Sequence, residues 1–267
     1  MTRVAAAQLS LSVGDVAGNR RAGIEAVAAA AAGGARLVVL PELSDTGYVF
    51  ADRAEADALC DPGPTVEGWV ASAAAHGVVV AGGFCGRRDG TLTNSAVVVD
   101  GTGPLARYDK VHLWGREPEL FTPGTAPPPV VDTAVGRVGL LVCYDLEFPE
   151  WVRLAADAGA DVVAAPVNWP LAERPSGERP IEVVKAQAAA AYYGVHVVVA
   201  DRCGADRGTR WVGGACVVDR SGYLAAGPSL EDAPGLVAAD LDLAAARDKR
   251  LGPRNHLVDD RRPDLYA

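Results

Sequence analysis

Short apolar runs, each stopped by a turn former or a reactive side chain and separated by stretches of helical spacing, constrain this chain most. Residues 4–9 are a short apolar run suited to a buried strand. Helical spacing follows, with Ile24, Val27, Ala28 and Ala31 on one face and Gly33-Gly34 as a C-cap. Residues 36–41 read Arg-Leu-Val-Val-Leu-Pro, a β-branched run closed by a proline, which cannot donate to a sheet ladder. The pattern then predicts a helix over 65–76, a strand over 77–82 and a meander over 92–100 and 105–110 around the turn at 101–103. A loop with four prolines at 123–129 precedes expected strands at 137–142, 161–166, 195–201, 211–219 and 236–241. Helices are expected at 147–158 and 180–193, the second with Pro180 near its first turn. No low-complexity linker or repeat divides the chain. The alternation predicts one α/β domain over 1–267 with helices covering stacked sheets, and the polar, proline-punctuated 252–267 segment reads as an arm.

Composition excludes several functions. With 25 basic and 34 acidic residues the net charge is −9, which argues against a nucleic-acid or anionic-membrane surface. Five cysteines at 60, 85, 143, 203 and 216 are odd in number, widely spaced and free of C-x-x-C, so neither a zinc site nor a disulfide framework fits. Four histidines at 76, 112, 196 and 256 are too scattered for a metal cluster. No apolar run is long enough to span a membrane, and Asp15 interrupts the start before a signal-peptide core could form. The expectation is a soluble, cytoplasmic protein with reduced thiols.

Three strand ends carry reactive side chains. Glu42 follows the apolar strand in V-V-L-P-E-L, at a sheet edge where α/β proteins place ligands. Taken alone it reads better as a solvated loop acid; semi-burial would raise its pKa and make it a usable base. Lys110, in A-R-Y-D-K-V-H-L, is either a surface charge or, in a closed site, a fixed cation for an oxyanion. His112 lies two residues on and could share that strand face. Cys143 ends V-G-L-L-V-C-Y-D-L-E-F-P-E, where a strand stops abruptly and a helix begins within a few residues. That layout is like a nucleophile elbow, whereas the other four cysteines read as packed core thiols.

P-E-L-S-D-T-G-Y at 41–48, Y-D-K-V-H-L at 108–113 and C-Y-D-L-E-F-P-E at 143–150 resemble, in order and spacing, the nitrilase or carbon–nitrogen hydrolase superfamily. The likeness extends to A-A-A-Q at 5–8, E-P-E-L-F-T-P-G at 117–124, D-R-C-G-A-D-R-G at 201–208 and the terminal D-D-R-R-P-D-L-Y. It implies a four-layer α-β-β-α sandwich and a Glu42–Lys110–Cys143 triad, with Glu117, four residues before Phe121, as a second glutamate. Glu119 is the alternative for that second carboxylate. It also implies a small-molecule amide substrate, no metal or organic cofactor, and a homodimer pairing two sandwiches or a higher homo-oligomer. C-Y-D rather than C-W-E is similar to the amidase branches, including amidases for ω-amino amides such as 5-aminopentanamide. Tyr48, Asn168 and Trp169 come from loops that border the pocket in the family, and the Tyr144 backbone N–H would join Lys110 in holding the oxyanion. Glu147 either receives a cationic substrate tail or simply begins the helix. Asp201 departs from the asparagine common in the family. Alternatives are a ureido (N-carbamoyl amide) hydrolase or a nitrilase using the same triad, a Cys–His hydrolase with His112 or His196 as base, and a catalytically silent scaffold.

Overall fold

A computed structural model describes residues 1–265; the last two residues of the expected arm lie outside the described residues. Along the chain come β1 (Thr2–Ser10), α1 (Val16–Ala32), β2 (Leu37–Val39), α2 (Arg53–Leu59), α3 (Pro62–His76), β3 (Val79–Arg88), β4 (Thr91–Asp100) and β5 (Gly103–Asp109). Next are α4 (Glu117–Leu120), β6 (Val130–Thr133), β7 (Gly136–Leu140), α5 (Pro149–Asp157), β8 (Val162–Pro166), α6 (Ile181–Tyr193) and β9 (His196–Ala200). Short strands β10 (Arg202–Cys203), β11 (Ala205–Asp206), β12 (Thr209–Arg210), β13 (Cys216–Val218) and β14 (Leu224–Ala226) lead to β15 (Gly235–Leu241). The first sheet runs β10-β1-β2-β3-β4-β5 with β15 also on β1, and the second runs β14-β13-β9-β8-β7-β6.

Side-chain alternation assigns the faces. In the first sheet Val4, Ala6, Leu37, Val39, Val79, Ala81, Ala96 and Val98 point to the second sheet, into the core shared with Val138, Leu140, Ala164 and Val198. The intervening residues, Ala5, Ala7, Val38, Leu40, Val80, Val97 and Val99, meet Val27 and Ala30 of α1 and Trp69 and Ala73 of α3. On the far side, Val152 and Ala155 of α5 and Val183, Ala186 and Ala190 of α6 cover the second sheet. The result is the four-layer α-β-β-α sandwich.

Several expected elements differ. α1 buries Asn19, Gly23, Val27 and Ala30; of the expected face Val27 is buried and Ala31 packs against the core, but Ile24 is exposed. Gly23 turns toward Trp69, whose Nε1 stands 3.5 Å from where a Cβ would lie, and Asn19 is bonded to the Ser12 and Asp45 carbonyls at 2.8 and 3.0 Å. Close packing and local hydrogen bonding therefore override the Ile24 periodicity. The expected strand 211–219 is reduced to β13, because Gly213 takes a positive φ of 64° and the 212–214 backbone bonds to Trp169, Arg202 and Asp201 instead. The expected helix at 147 starts at Pro149, since a 3-10 turn occupies Cys143–Glu147. Helices α2 and α4 and edge strands β6 and β14 are additional. Among the described residues no helix is long and apolar enough to cross a membrane.

Candidate active site

Ends of strands from both sheets meet over one edge of the sandwich. Glu42 leaves β2 in a tight turn where Leu43 takes a φ of 44°. Gly83 of β3 lies so close that a Cβ there would stand 2.5 Å from Glu42 Cα. Glycine is thus required for the strand to pass. Lys110 follows β5, and its backbone N–H donates to the Asn94 carbonyl at 2.8 Å, continuing the β4–β5 ladder by one residue. Cys143 follows β7 with a φ of 46°, a left-handed conformation unfavourable for a non-glycine residue. Strain at such a point is the mark of an elbow held by its surroundings.

Those surroundings centre on Asp145. Its carboxylate accepts from Tyr108 Oη at 2.8 Å, the His112 backbone N–H at 2.9 Å and the Val142 N–H at 3.3 Å, and lies 2.6 Å from His112 Nδ1. Trp151 Nε1 donates to the Tyr108 hydroxyl at 2.9 Å, and His112 stacks on Phe148 at 3.8 Å between centroids. His112 therefore braces the turn. His196 has both ring nitrogens engaged, with the Asp242 carbonyl at 3.0 Å and the Arg220 N–H at 3.1 Å. His196 thus has no ring nitrogen left to act as a base, and among the described residues neither imidazole is hydrogen-bonded to Cys143, whose thiol faces the Asn168 carbonyl.

The structure brings Glu42, Lys110 and Glu117 together with a residue not singled out in the sequence, Asn94. Lys110 Nζ lies 2.7 Å from Glu42 Oε1 and 2.8 Å from Glu117 Oε2. Asn94 Nδ2 donates to Glu42 Oε1 at 2.7 Å and Glu117 Oε1 at 2.9 Å. The Trp114 N–H donates to Glu117 Oε2 at 2.6 Å. All four side chains are buried. Glu119, in contrast, is exposed and paired with Arg116. Glu42 Oε2 has no hydrogen-bond partner, which leaves one basic oxygen uncommitted.

Burial raises the Glu42 pKa to about 7 against the lowering influence of Lys110. Burial and the Glu42 charge push the Cys143 thiol well up. Burial alone would lower Lys110, but the charges of Glu42 and Glu117 outweigh it and hold the ammonium protonated. Asn168 joins the two halves: its Nδ2 donates to the Glu42 carbonyl at 2.9 Å, and its own carbonyl lies 4.0 Å from Cys143 Sγ. Its side-chain amide hydrogen thus supports Glu42.

Other expected substrate contacts fall differently. Tyr48 lines a cleft beside the cluster, edge-on to Trp211 at 5.5 Å, and burial and the charge of Glu117 raise its hydroxyl pKa. Tyr144 is edge-on to Trp114 at 4.8 Å. Trp169 turns into the core against Gly214 and is absent from the cleft wall, because its backbone N–H is fixed by Asp201 at 3.0 Å. Glu147 is ion-paired with Lys185 of α6, so it is not a vacant anionic site. Asp201 is fully buried with a pKa pushed up to about 7 by burial, although it accepts the N–H groups of Trp169, Arg202 and Gly214. Cys60, Cys85, Cys203 and Cys216 are buried away from the elbow, with the Cys60 thiol donating to the Cys85 carbonyl at 3.3 Å.

A buried carboxylate with a free oxygen, a fixed ammonium and a thiol on a strained elbow define a thiol-dependent hydrolase. Comparison with known proteins agrees. The carbon-nitrogen hydrolase family model matches residues 3–251. A nitrilase of Pyrococcus abyssi is 35% identical over 237 residues, 87% of each chain. An (R)-stereoselective amidase of a Pseudomonas species is 34% identical over 244 residues, 90% of this chain and 86% of the relative. The amidase of Nesterenkonia sp. AN1, captured after Michael addition of acrylamide at its active site cysteine, superposes with a TM-score of 0.78 at 30% identity, covering 94% of this chain and 97% of that one. The chain belongs to the carbon-nitrogen hydrolase family, within the nitrilase superfamily, and is an amidase-type hydrolase.

Proposed function

We propose that the protein hydrolyses a small-molecule carboxamide to a carboxylic acid and ammonia through a thioester on Cys143. The observation that carries this reading is the buried Lys110, held between Glu42 and Glu117 while Glu42 Oε2 stays free. Glu42 takes the thiol proton as Cys143 Sγ attacks the carbonyl carbon. A raised thiol pKa suits this, since the proton leaves only as the bond forms. Lys110 and the Tyr144 backbone N–H receive the developing oxyanion; one such donor is typically worth about 3 kcal/mol of barrier. Glu42 returns the proton to the departing nitrogen, ammonia leaves, and the thioester remains. Water, deprotonated by Glu42, then releases the acid and restores the thiol. Glu117 and Asn94 hold Lys110 and Glu42 in place during both halves.

The test is mass spectrometry of protein quenched during turnover of a panel of amides. An acyl adduct on Cys143 that is absent from Cys143→Ala is the expected result; no adduct across the panel would refute the mechanism.

The same reading takes residues 1–267 as one catalytic domain acting in the cytoplasm, which the five unpaired thiols support. It also takes the protein as a homodimer. The groove between α5, α6 and residues 249–261, with Tyr192 and Val258 exposed beside it, supports such pairing. Light scattering that returns 27.5 kDa, the mass of one chain, would refute the dimer.

A further inference from the structure

The residues around the catalytic cluster carry information about the acyl group it accepts. Glu117 and Tyr48 form part of the wall of a cleft of about 270 Å³. Phe50, Leu120, Trp114, Trp211 and Pro170 supply most of the rest. Trp211 stands edge-on to Tyr48, whose hydroxyl feels the charges of Glu117, Lys110, Glu42 and Cys143. Trp114 stands edge-on to Tyr144, the residue after the nucleophile. The cleft therefore adjoins the reacting groups and is bordered by aromatic rings. A cavity of about 150 Å³ takes benzene, so this one has room for a ring and a short chain leading to the carboxamide.

Its charges point one way. Both oxygens of Glu117 are committed to Lys110, Asn94 and the Trp114 N–H. Glu147, the carboxylate expected to take an ammonium tail, is paired with Lys185 and does not line the cleft. The other ionised group on the wall is a cation, Arg116, bonded to Glu119 and the Ala51 carbonyl. Behind Trp211 lies a second cation, Arg202, fully buried, 4.4 Å from the ring centroid, with its Nε and Nη1 unpartnered. An alkylammonium entering here gives up its hydration and meets no uncommitted carboxylate on the wall, where Glu117 is taken up by Lys110 and the two nearby guanidinium groups, Arg116 and Arg202, already hold Glu119 and Asp206. A neutral ring meets aromatic edges and aliphatic carbon.

We propose that this cleft is the acyl-binding site, and that it selects carboxamides with an uncharged aromatic or branched apolar acyl group over ω-amino amides. The proposal rests on the reading of Cys143 as nucleophile.

Steady-state kinetics with phenylacetamide, acetamide and 5-aminopentanamide test it. Phenylacetamide is expected to exceed 5-aminopentanamide in kcat/KM by about 30-fold or more, the scale on which an apolar pocket discriminates. Trp211→Ala lowers the phenylacetamide-to-acetamide ratio by about tenfold. Thr209→Asp, which adds a carboxylate to the wall, shifts the ratio toward 5-aminopentanamide by about tenfold. Because Trp211 also covers Arg202 and its loss can disturb folding, binding is measured separately on Cys143→Ala. There phenylacetamide quenches tryptophan fluorescence saturably and 5-aminopentanamide does not. Preference for 5-aminopentanamide or for an anionic amide such as succinamate, or absence of quenching, overturns the assignment. Turnover persisting in Cys143→Ala overturns the nucleophile instead, while leaving the quenching result to stand.

Discussion

Asn94→Ala separates the electrostatics of the cluster from its packing. Asn94 Nδ2 donates to the ionised form of Glu42 at 2.7 Å in a fully buried setting, and this bond lowers a pKa that burial has raised to about 7. A hydrogen bond to a buried charge is worth about 1.5–3 kcal/mol, or about one to two pKa units at 1.36 kcal/mol each. Losing it moves the Glu42 midpoint from about 7 to between ~8 and ~9. The base must be ionised in the free enzyme, so kcat/KM rises with pH through that midpoint. At pH 7 wild type is about half ionised and the variant ~1–10%, which lowers kcat/KM by ~5- to 50-fold there and lets it recover near pH 9. The assay is the pH profile of kcat/KM for one good amide, with thermal unfolding to confirm that the variant is folded. An unchanged midpoint beneath a uniformly lower plateau would refute the reasoning, because loss of packing alone scales the profile without moving it.

Other substitutions have defined outcomes. Glu42→Gln is expected to reduce turnover by about 10²–10⁴ and to stabilise the fold at pH 8. The folded-state pKa of about 7 lies above the ordinary carboxylate value of 4.5, so the native state binds the extra proton and wild-type stability falls as pH rises between those values. That contribution is about 3 kcal/mol at most and is absent from the variant; equal urea stabilities of the two proteins at pH 5 and pH 8 would refute it. Asp145→Ala strips the elbow of the acceptor for Tyr108, His112 and Val142 and should cost about 3–5 kcal/mol by urea unfolding, with faster alkylation of Cys143 by iodoacetamide. Unaltered alkylation would show that the turn holds without it. Gly83→Ala drives a methyl to 2.5 Å from Glu42 Cα and should cost about 1–3 kcal/mol and most of kcat, checked by calorimetry and steady-state rates.

Glu42 and Cys143 stood out as candidates because each lies just beyond a recognisable apolar strand, whereas Lys110 follows the more polar Gly-Pro-Leu-Ala-Arg-Tyr-Asp stretch and entered the site through family resemblance. Glu117 was legible only through family resemblance, since its helix is a single turn of four residues with no periodicity to detect. Asn94 was hidden within T-L-T-N-S, where a polar residue in a strand reads as solvent-facing. Only the β3–β4–β5 pairing buries that stretch beside Lys110. Three consecutive polar residues in one strand segment, Thr93, Asn94 and Ser95, all buried here, are the signal that sequence alone could have offered, but it needs the knowledge that both faces are covered. Trp169 and Glu147 were displaced by contacts remote in sequence: Trp169 by the acceptor Asp201, Glu147 by Lys185 a further 38 residues along. Such partners are set by how the second sheet and α6 pack, and no local pattern encodes them.

The same packing explains why so expensive a cluster persists. Burying an ammonium and two carboxylates is rarely favourable compared with apolar side chains of equal volume. Here the Lys110–Glu117 pair is neutral as a unit, and what remains is the single charge of Glu42, half-neutralised near pH 7. In the proposed reaction the Cys143 proton passes to Glu42 as negative charge appears on the carbonyl oxygen. The site therefore exchanges one buried anion for another and desolvates no additional charge. A surface carboxylate would be solvated before the step and need reorganisation after it. Strand ends from both sheets supply these groups, with Asn168 of the second sheet tied to the Glu42 backbone of the first. Sliding one sheet against the other by an ångström would break that register, so the rigidity of the shared core is itself part of the catalytic arrangement.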